Sequence, residues 1–295
     1  MASSGDVPFT KMQAVGNDFV VVEAGHWPAG SDWSRQAVRL SDRKFGVGGD
    51  GLLVVAPSEV ADVRMRMFNP DGTEDMCGNG LRCVIRLGFD RGLVGATGTV
   101  ETLSGIRAFA VLPDGSITTE MGVPSFLADD IPFRRDGTAT DLRDYQTKLP
   151  PPDGAAALLP PLALFGVVNT GSTHTVAFVD ELPDDAVFHL WSPYVEHHPW
   201  FPERTSLMWA KVDAPDALRL RIWERGAGET LGCGTGAAAA AVVARLRGKV
   251  SPDGPVTVRS KGGELRVDWA GGDDSPVYLT GRAEHVFAGE IDAEG

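Results

Sequence analysis

The sequence predicts an α+β protein made of two similar halves. Short runs rich in Val, Phe and Trp recur along the 295-residue chain and are bounded by Gly, Pro and Asp, as β-strands are. Only three stretches have the spacing of apolar residues that is typical of helices. Two motifs recur at an offset of about half the chain length, and the chain is long enough for two domains that each bury a core.

The predicted strands are spread over both halves, whereas the helices are few. We expect strands at 18–23, 51–56, 63–68, 106–112, 167–179, 217–223, 256–259, 265–269 and 277–280. We expect helices at 34–44, at 80–89 and at 236–247. The Pro-rich segment 128–161 differs in composition from its surroundings, which marks an excursion or linker whose role stays open.

An internal repeat supports the division into halves. Residues 68–80 align without gaps on residues 224–236, an offset of 156 that superposes two Cys-Gly-x-Gly motifs. Residues 15–22 match residues 170–177 at an offset of 155. Two matches at nearly the same offset indicate an ancestral duplication, with one motif cysteine, Cys77 or Cys233, in each half.

Charge and cysteine content exclude several classes of protein. The chain has 27 Lys and Arg against 40 Asp and Glu, and a net charge of −13 repels phosphate backbones and anionic lipid surfaces. Nucleic acid and membranes are therefore not expected partners. Three cysteines do not make a disulfide framework, and the chain has neither a secretory leader pattern nor an apolar run of membrane-helix length. We expect a soluble cytoplasmic protein.

The two motif cysteines have the setting of reactive thiols. A cysteine at a helix N-terminus lies beside unpaired N–H groups, which lower its pKa, and the following glycines leave those groups open to a carboxylate. If two such sites faced each other, a substrate carboxylate could be held while one thiolate removes an α-proton and the other thiol protonates the opposite face. The pattern favours stereochemical inversion of an amino acid.

Other interpretations of these motifs stay open. Helix-start cysteines are often packed core residues, and Cys83, about 240° round the helix from Cys77, is expected to be one. The residues 232–237 fit a dinucleotide fingerprint, but the preceding strand ends near Trp223, and the similar motif at 46–51 precedes a strand instead of following one. No Cys-x2-Cys spacing supports zinc. A binding protein that has lost catalysis would need neither cysteine.

The sequence resembles the diaminopimelate epimerase family, the cofactor-independent two-cysteine racemases and epimerases. The shared motifs lie at 11–19, 46–51, 68–74, 76–83, 201–204 and 224–236, and they cover nearly the whole chain. The resemblance implies two pseudo-symmetric α+β domains, each a curved β-sheet or barrel wrapped round a central helix, with the active site between them. We expect an N-terminal domain at 1–122 that carries Cys77 and is completed by 283–295, and a C-terminal domain at 123–282 that carries Cys233.

The same resemblance implies roles for individual residues. Cys77 and Cys233 would be the acid and base, and a free amino acid would be the substrate. Its carboxylate would be held by the helix-start N–H groups of Gly78, Asn79, Gly234 and Thr235. The rest of the substrate would be bound by Asn17, Asn69, Glu224 and Arg225. Neither pyridoxal phosphate nor a metal is expected, and whether the chain forms a homodimer is left open.

Two departures from the family pattern bear on the substrate. By the same resemblance, Ser172, His174 and Ser206 would also bind the substrate. Ser172 and Ser206 stand where the family has asparagines that contact the distal end of diaminopimelate, whereas His174 is retained. Serine has a shorter side chain with fewer donors, so both changes weaken recognition of a distal zwitterion. We therefore expect a polar amino acid other than diaminopimelate, such as the substrate of the O-ureidoserine racemase of cycloserine biosynthesis. The alternative is diaminopimelate epimerase itself.

Overall fold

The computed structural model describes residues 5–135, 140–152 and 161–293. Its first elements are β1 (Asp6–Ala14), β2 (Asn17–Glu23), α1 (Trp33–Ser41), β3 (Gly51–Ala56), β4 (Val63–Phe68), β5 (Glu74–Asp75), α2 (Gly78–Asp90), β6 (Thr97–Thr102), β7 (Gly105–Val111) and β8 (Ile117–Gly122). A short 3-10 helix, Ala24–His26, follows β2.

The second half continues the alternation of strands and helices. Its elements are β9 (Thr147–Leu149), β10 (Leu162–Leu164), β11 (Gly166–Asn169), β12 (Thr173–Phe178), α3 (Asp185–Glu196), β13 (Ser206–Ala214), β14 (Ala217–Glu224), β15 (Gly228–Thr230), α4 (Gly234–Leu246), β16 (Val256–Ser260), β17 (Gly263–Trp269), β18 (Val277–Gly281) and β19 (Glu284–Asp292). The chain divides into two compact units. Unit 1 comprises Met1–Glu120 and Thr280–Gly295, and unit 2 comprises Met121–Leu279.

Unit 1 is a sheet packed against the helix α2. β1 pairs antiparallel with β19 and β2, β2 runs parallel to β3, β3 antiparallel to β4, and β4 parallel to β6. The helix contacts β1 to β4. Its buried Leu81, Val84 and Ile85 share one core with Phe19 and Leu53 of the strands. Burial of this apolar face is what holds the helix in the sheet.

Unit 2 repeats this connectivity round α4. β11 and β12 form an antiparallel pair, β12 runs parallel to β13, β13 antiparallel to β14, and β14 parallel to β16. Strands β11 to β14, β16 and β17 all contact α4, whose residues 236–244 are all buried. A helix that is apolar on every side requires such a surrounding sheet. The predicted α+β class with two similar units is confirmed.

The helices α2 and α4 begin directly after the two motif cysteines, two residues before the predicted starts at 80 and 236. Both have 13 residues and a cysteine as N-cap, with φ and ψ of −136° and 120° at Cys77 and of −126° and 116° at Cys233. The last glycine of each motif lets the helix approach the sheet. A Cβ at Gly80 would lie 2.8 Å from Leu53 Cδ2, and one at Gly236 would overlap Met208 Sδ.

The structure departs from the sequence predictions in several places, and three of them bear on the site. The run 167–179 is two strands, β11 and β12, joined by a turn in which Gly171 has a φ of +104°. The helix α3 is not among the predicted helices. The segment 128–161 is no free linker where it is described, because Ile131, Phe133 and Leu149 are buried in the core of unit 2. Its residues 136–139 and 153–160 lie outside the described residues.

Within the described ranges, no helix combines the length and the apolar character needed to cross a membrane.

Candidate functional site

In unit 1 the structure brings Asn17, Cys77 and Asn79 together at the start of α2. Cys77 is half-buried, and its Sγ donates to Asn17 Oδ1 over 3.4 Å. The Nδ2 of Asn79 donates to the same oxygen over 3.3 Å. The fold thus places two of the expected binding residues directly beside one expected catalytic sulfur.

A charged cluster lies behind Asn17. The Nδ2 of Asn17 donates to Asp50 Oδ2 over 2.6 Å, and Arg43 Nη2 pairs with Asp50 Oδ1 at 2.8 Å. Burial acts to raise the pKa of Asp18, but the hydrogen bonds and charges of Arg43 and Lys11 outweigh it and bring the pKa to about 2. Sequence reasoning missed Asp50 as a site residue. Its signal was the Gly-rich motif at 46–51, whose turn leads into β3 and places this carboxylate.

A buried arginine lies one turn into α2. Arg82 is fully buried, its Nη2 donates to Asn79 Oδ1 over 2.5 Å, and its Nη1 donates to the carbonyl of Gly78 over 3.4 Å. Cys83, which follows it, is packed in the core of unit 1, and burial raises the pKa of this thiol to about 12. Cys83 is therefore the inert cysteine that its helical phase predicts.

Asn69 occupies the turn between β4 and β5. Its Nδ2 donates to Thr73 Oγ1 over 3.1 Å, and its N–H donates to the carbonyl of Thr73 over 2.8 Å. Gly72 in the same turn has a φ of +86°, which glycine adopts without strain. The chain then reaches Cys77 through β5, so the turn and the helix start are linked by only a few residues.

In unit 2, Cys233 caps its own helix. Its Sγ accepts the N–H of Gly236 over 3.3 Å and lies 3.4 Å from Thr235 Oγ1. Burial and the nearby charge of Glu224 raise the pKa of this thiol well above its ordinary value, although the contacts with Thr235 and Gly236 oppose the shift. Glu224 in turn accepts a hydrogen bond from Thr230. The structure therefore brings Cys233, Glu224 and Thr235 together.

His174, Ser206 and Arg225 form a second group in unit 2. His174 in β12 lies opposite Ser206 in the parallel strand β13, and both are buried. Ser206 Oγ accepts the N–H of Arg225 over 3.0 Å. Neither ring nitrogen of His174 has a hydrogen-bond partner among the described residues. Burial and the charge of Arg225 lower the pKa of His174 to about 3, so the imidazole is neutral at pH 7.

Ser172 lies in the turn that joins β11 to β12. Its carbonyl accepts the N–H of Thr170 over 3.2 Å. The hydroxyl of Thr170 donates to the carbonyl of Thr235 over 2.8 Å. The turn therefore lies against the first turn of α4, where Gly234 and Thr235 present their backbone.

Glu196, at the end of α3, holds loops of unit 2 in place, a role that the sequence did not reveal. It is 3% exposed and accepts hydrogen bonds from Trp223 Nε1 over 2.6 Å, from the N–H of Gly226 over 2.9 Å and from Arg204 Nη1 over 3.2 Å. Arg204 has a φ of +64°, a conformation that few residues other than glycine adopt. Glu196 thus fixes the loops that carry Arg204 and the residues after Glu224.

Each unit thus offers a thiol at a helix start together with groups that can hold a polar ligand. Among the described residues, no group of three or more His, Cys, Asp or Glu side chains is placed to hold a metal ion. The thiols and the helix-start amides are suited to proton transfer beside a carboxylate.

Comparison with known proteins agrees with these features. The family model "Diaminopimelate epimerase" matches residues 9–127 and 166–286. The diaminopimelate epimerase of Caldanaerobacter subterraneus subsp. tengcongensis is 40% identical over 290 residues, covering 96% of this chain and 99% of that protein. The enzyme of Alkalilimnicola ehrlichii is 41% identical over 292 residues, covering 97% and 98%.

Solved structures show the same fold at low sequence identity. A PhzF-family phenazine biosynthesis protein of Bacillus anthracis superposes with a TM-score of 0.67 at 19% identity, covering 97% of this chain and 99% of that one. A probable proline racemase of Agrobacterium radiobacter also has a TM-score of 0.67, at 16% identity, with coverages of 97% and 92%. The family match over most of the sequence, with relatives of about equal length, shows that this chain belongs to the diaminopimelate epimerase family of cofactor-independent isomerases.

Proposed function

We propose that this protein is a diaminopimelate epimerase, which converts the L,L isomer to the meso isomer. The observation that carries the proposal is the identity of about 40% to enzymes of that name over nearly the full length of both chains. This favours the alternative of the sequence analysis over a different polar amino acid such as O-ureidoserine.

Two features of unit 2 would serve a substrate with a charged distal end. Ser206 is shorter than the family's asparagine, but its hydroxyl holds the N–H of Arg225 over 3.0 Å and so anchors the start of that loop. Unit 2 also carries the guanidinium of Arg204, which Glu196 holds. Guanidinium groups bind carboxylates in a fixed geometry, which suits the second carboxylate of diaminopimelate.

The proposed reaction uses one thiol from each unit on the same α-carbon. One cysteine, as thiolate, takes the α-proton and becomes a thiol, which leaves a carbanion at the α-carbon. The other cysteine, as thiol, gives its proton to the opposite face and becomes a thiolate. Helix-start N–H groups at Gly78, Asn79, Gly234 and Thr235 would stabilise the negative charge on the carboxylate. The scheme requires neither pyridoxal phosphate nor a metal.

The proposal is tested by a substrate panel. The purified protein is incubated separately with L,L-diaminopimelate, meso-diaminopimelate and O-ureidoserine, and the stereoisomers are separated by chiral chromatography. We expect kcat/KM for diaminopimelate to exceed that for O-ureidoserine by at least about 100-fold, because a site whose polar groups pair with a charged distal end discriminates strongly against a substrate that leaves them unpaired. The Cys77→Ser and Cys233→Ser variants are controls for contaminating activity. Turnover of O-ureidoserine alone would overturn the proposal.

A further inference from the structure

Four polar residues of unit 1 form a continuous hydrogen-bonded chain that passes beside Cys77. Arg82 Nη2 donates to Asn79 Oδ1 over 2.5 Å, and Asn79 Nδ2 donates to Asn17 Oδ1 over 3.3 Å. Asn17 Nδ2 donates to Asp50 Oδ2 over 2.6 Å. The middle oxygen, Asn17 Oδ1, also accepts the hydrogen bond from Cys77 Sγ.

The charges at the two ends determine the direction of every bond in this chain. A guanidinium can only donate and an ionised carboxylate can only accept, whereas an amide can turn either way. With Arg82 at one end, Asn79 must present its oxygen to the arginine and its NH2 to Asn17. With Asp50 at the other end, Asn17 must present its NH2 to the carboxylate. Only this arrangement makes all three bonds, and it aims the oxygen of Asn17 at the sulfur of Cys77.

Two other features of unit 1 near Cys77 favour loss of its proton. The N-terminus of α2 and the buried guanidinium of Arg82 both stabilise a thiolate. Cys83 on the same helix is an uncharged thiol at neutral pH, because its pKa is about 12. An amide oxygen is different, since it can accept a hydrogen bond from a thiol and repels a thiolate. The orientation of Asn17 therefore opposes these two effects and favours the thiol form of Cys77.

We propose that Asp50 is a positioning residue for Cys77: it holds the Asn17 amide with its oxygen toward the sulfur and so favours the protonated form of Cys77 in the free enzyme. The assignment of a role in the reaction rests on the proposed function. There, Cys77 is the acid in one direction of the reaction and the base in the other. Asp50 touches neither the sulfur nor, in this scheme, the reacting carbon, and it acts only through Asn17.

The test measures alkylation of Cys77 by iodoacetamide between pH 6 and pH 10 in the full-length protein, quantified on the Cys77 peptide by mass spectrometry. Asp50→Asn removes the fixed acceptor that orients Asn17, and Asn17→Ala removes the oxygen itself. Asp18→Asn is the matched control, because it also removes one negative charge from the cluster with Lys11 and Arg43 but leaves the Asn17 to Asp50 bond intact.

At pH 7.5 we expect Cys77 to be alkylated at least about threefold faster in the Asp50→Asn and Asn17→Ala variants than in Asp18→Asn, because only the thiolate reacts. The rates should converge at high pH. Equal rates in the three variants, or slower alkylation in the first two, would overturn the inference. If Asp50→Asn does not fold, the comparison of the Cys77 alkylation rate in Asn17→Ala with that in Asp18→Asn tests the inference. Alkylation needs no substrate, so failure of diaminopimelate turnover would overturn the proposed function and leave this result standing.

Discussion

The buried imidazole of His174 couples the stability of unit 2 to pH. Burial and Arg225 lower its pKa from 6.5 to about 3 in the folded protein. Between these values the unfolded chain binds a proton that the folded chain does not, so stability falls as the pH falls through this window and is fully present above it. The buried imidazole of His174 thus destabilises the folded protein only at acidic pH.

We expect the free energy of unfolding of the wild type to drop by on the order of 2–4 kcal/mol more than that of His174→Gln between pH 7 and pH 4. Urea unfolding at a series of pH values measures the free energy of unfolding of the wild type and of His174→Gln. His26→Gln, at an exposed histidine, is the control for the substitution itself. Parallel pH profiles for the wild type and His174→Gln would show that the folded protein accommodates the protonated ring.

Glu196, whose carboxylate is buried, is the second residue whose replacement should measurably change the free energy of unfolding. Replacing it by Gln turns an NH2 group toward at least one of the donors on Trp223, Gly226 and Arg204, which leaves a buried donor without an acceptor. We expect Glu196→Gln to lower the free energy of unfolding by about 1–3 kcal/mol. Glu181→Gln, whose side chain is 83% exposed in its ion pair with Lys211, should change it by less than about 1 kcal/mol. Equal effects in urea titrations would refute the role of burial.

At the scale of elements, the packing of α2 and α4 against the strands depends on glycines. We expect Gly80→Ala and Gly236→Ala to lower the free energy of unfolding by about 1–3 kcal/mol, because each new methyl group would meet a fully buried side chain, Leu53 or Met208. Gly88→Ala in α2 is the control, since its methyl group would lie 3.4 Å from Val94, an ordinary contact.

The helical propensity of alanine should make Gly88→Ala more stable by about 0.5–1 kcal/mol. Denaturant unfolding of the three variants gives the comparison. If all three shift in the same direction by similar amounts, helix propensity rather than close packing governs these positions.

The sequence predicts some elements well and others not at all, for physical reasons. The starts of α2 and α4 were predictable because both follow a cysteine and glycines that recur at a fixed offset. β19 was not, since most of its residues are exposed and no alternation of apolar side chains marks it. α3 combines aromatic residues with Pro193, which weakens the helical signal even though it buries Phe188 and Trp191 in the core.

The residues of the candidate site also fall into those that the sequence predicts and those that it does not. Motif residues such as Cys77 and Cys233 could be singled out from the sequence because the chemistry needs their residue types at helix starts. The partners of these motifs could not. Asp50 reaches Asn17 across 33 positions and Glu196 reaches Gly226 across 30, so only the folded chain brings them together.

At the scale of the whole molecule, the proposed reaction needs one thiol of each unit at the same α-carbon. Each unit repeats the parallel pair of strands, the antiparallel neighbour and the helix that begins beside a cysteine. A duplicated binder would need only the helix-start amides, whereas inversion by two bases needs a sulfur on each face of the substrate. The source of the new α-hydrogen distinguishes one base from two.

The most direct measurement follows epimerisation of L,L-diaminopimelate in D2O at early conversion by mass spectrometry of the separated isomers. Two thiols predict that the meso product carries deuterium at the inverted carbon, because its new hydrogen comes from a sulfur that had exchanged with solvent. The remaining L,L substrate should stay unlabelled at that stage. A meso product that retains the original hydrogen would mean that a single base removes and returns the proton, and it would contradict the account.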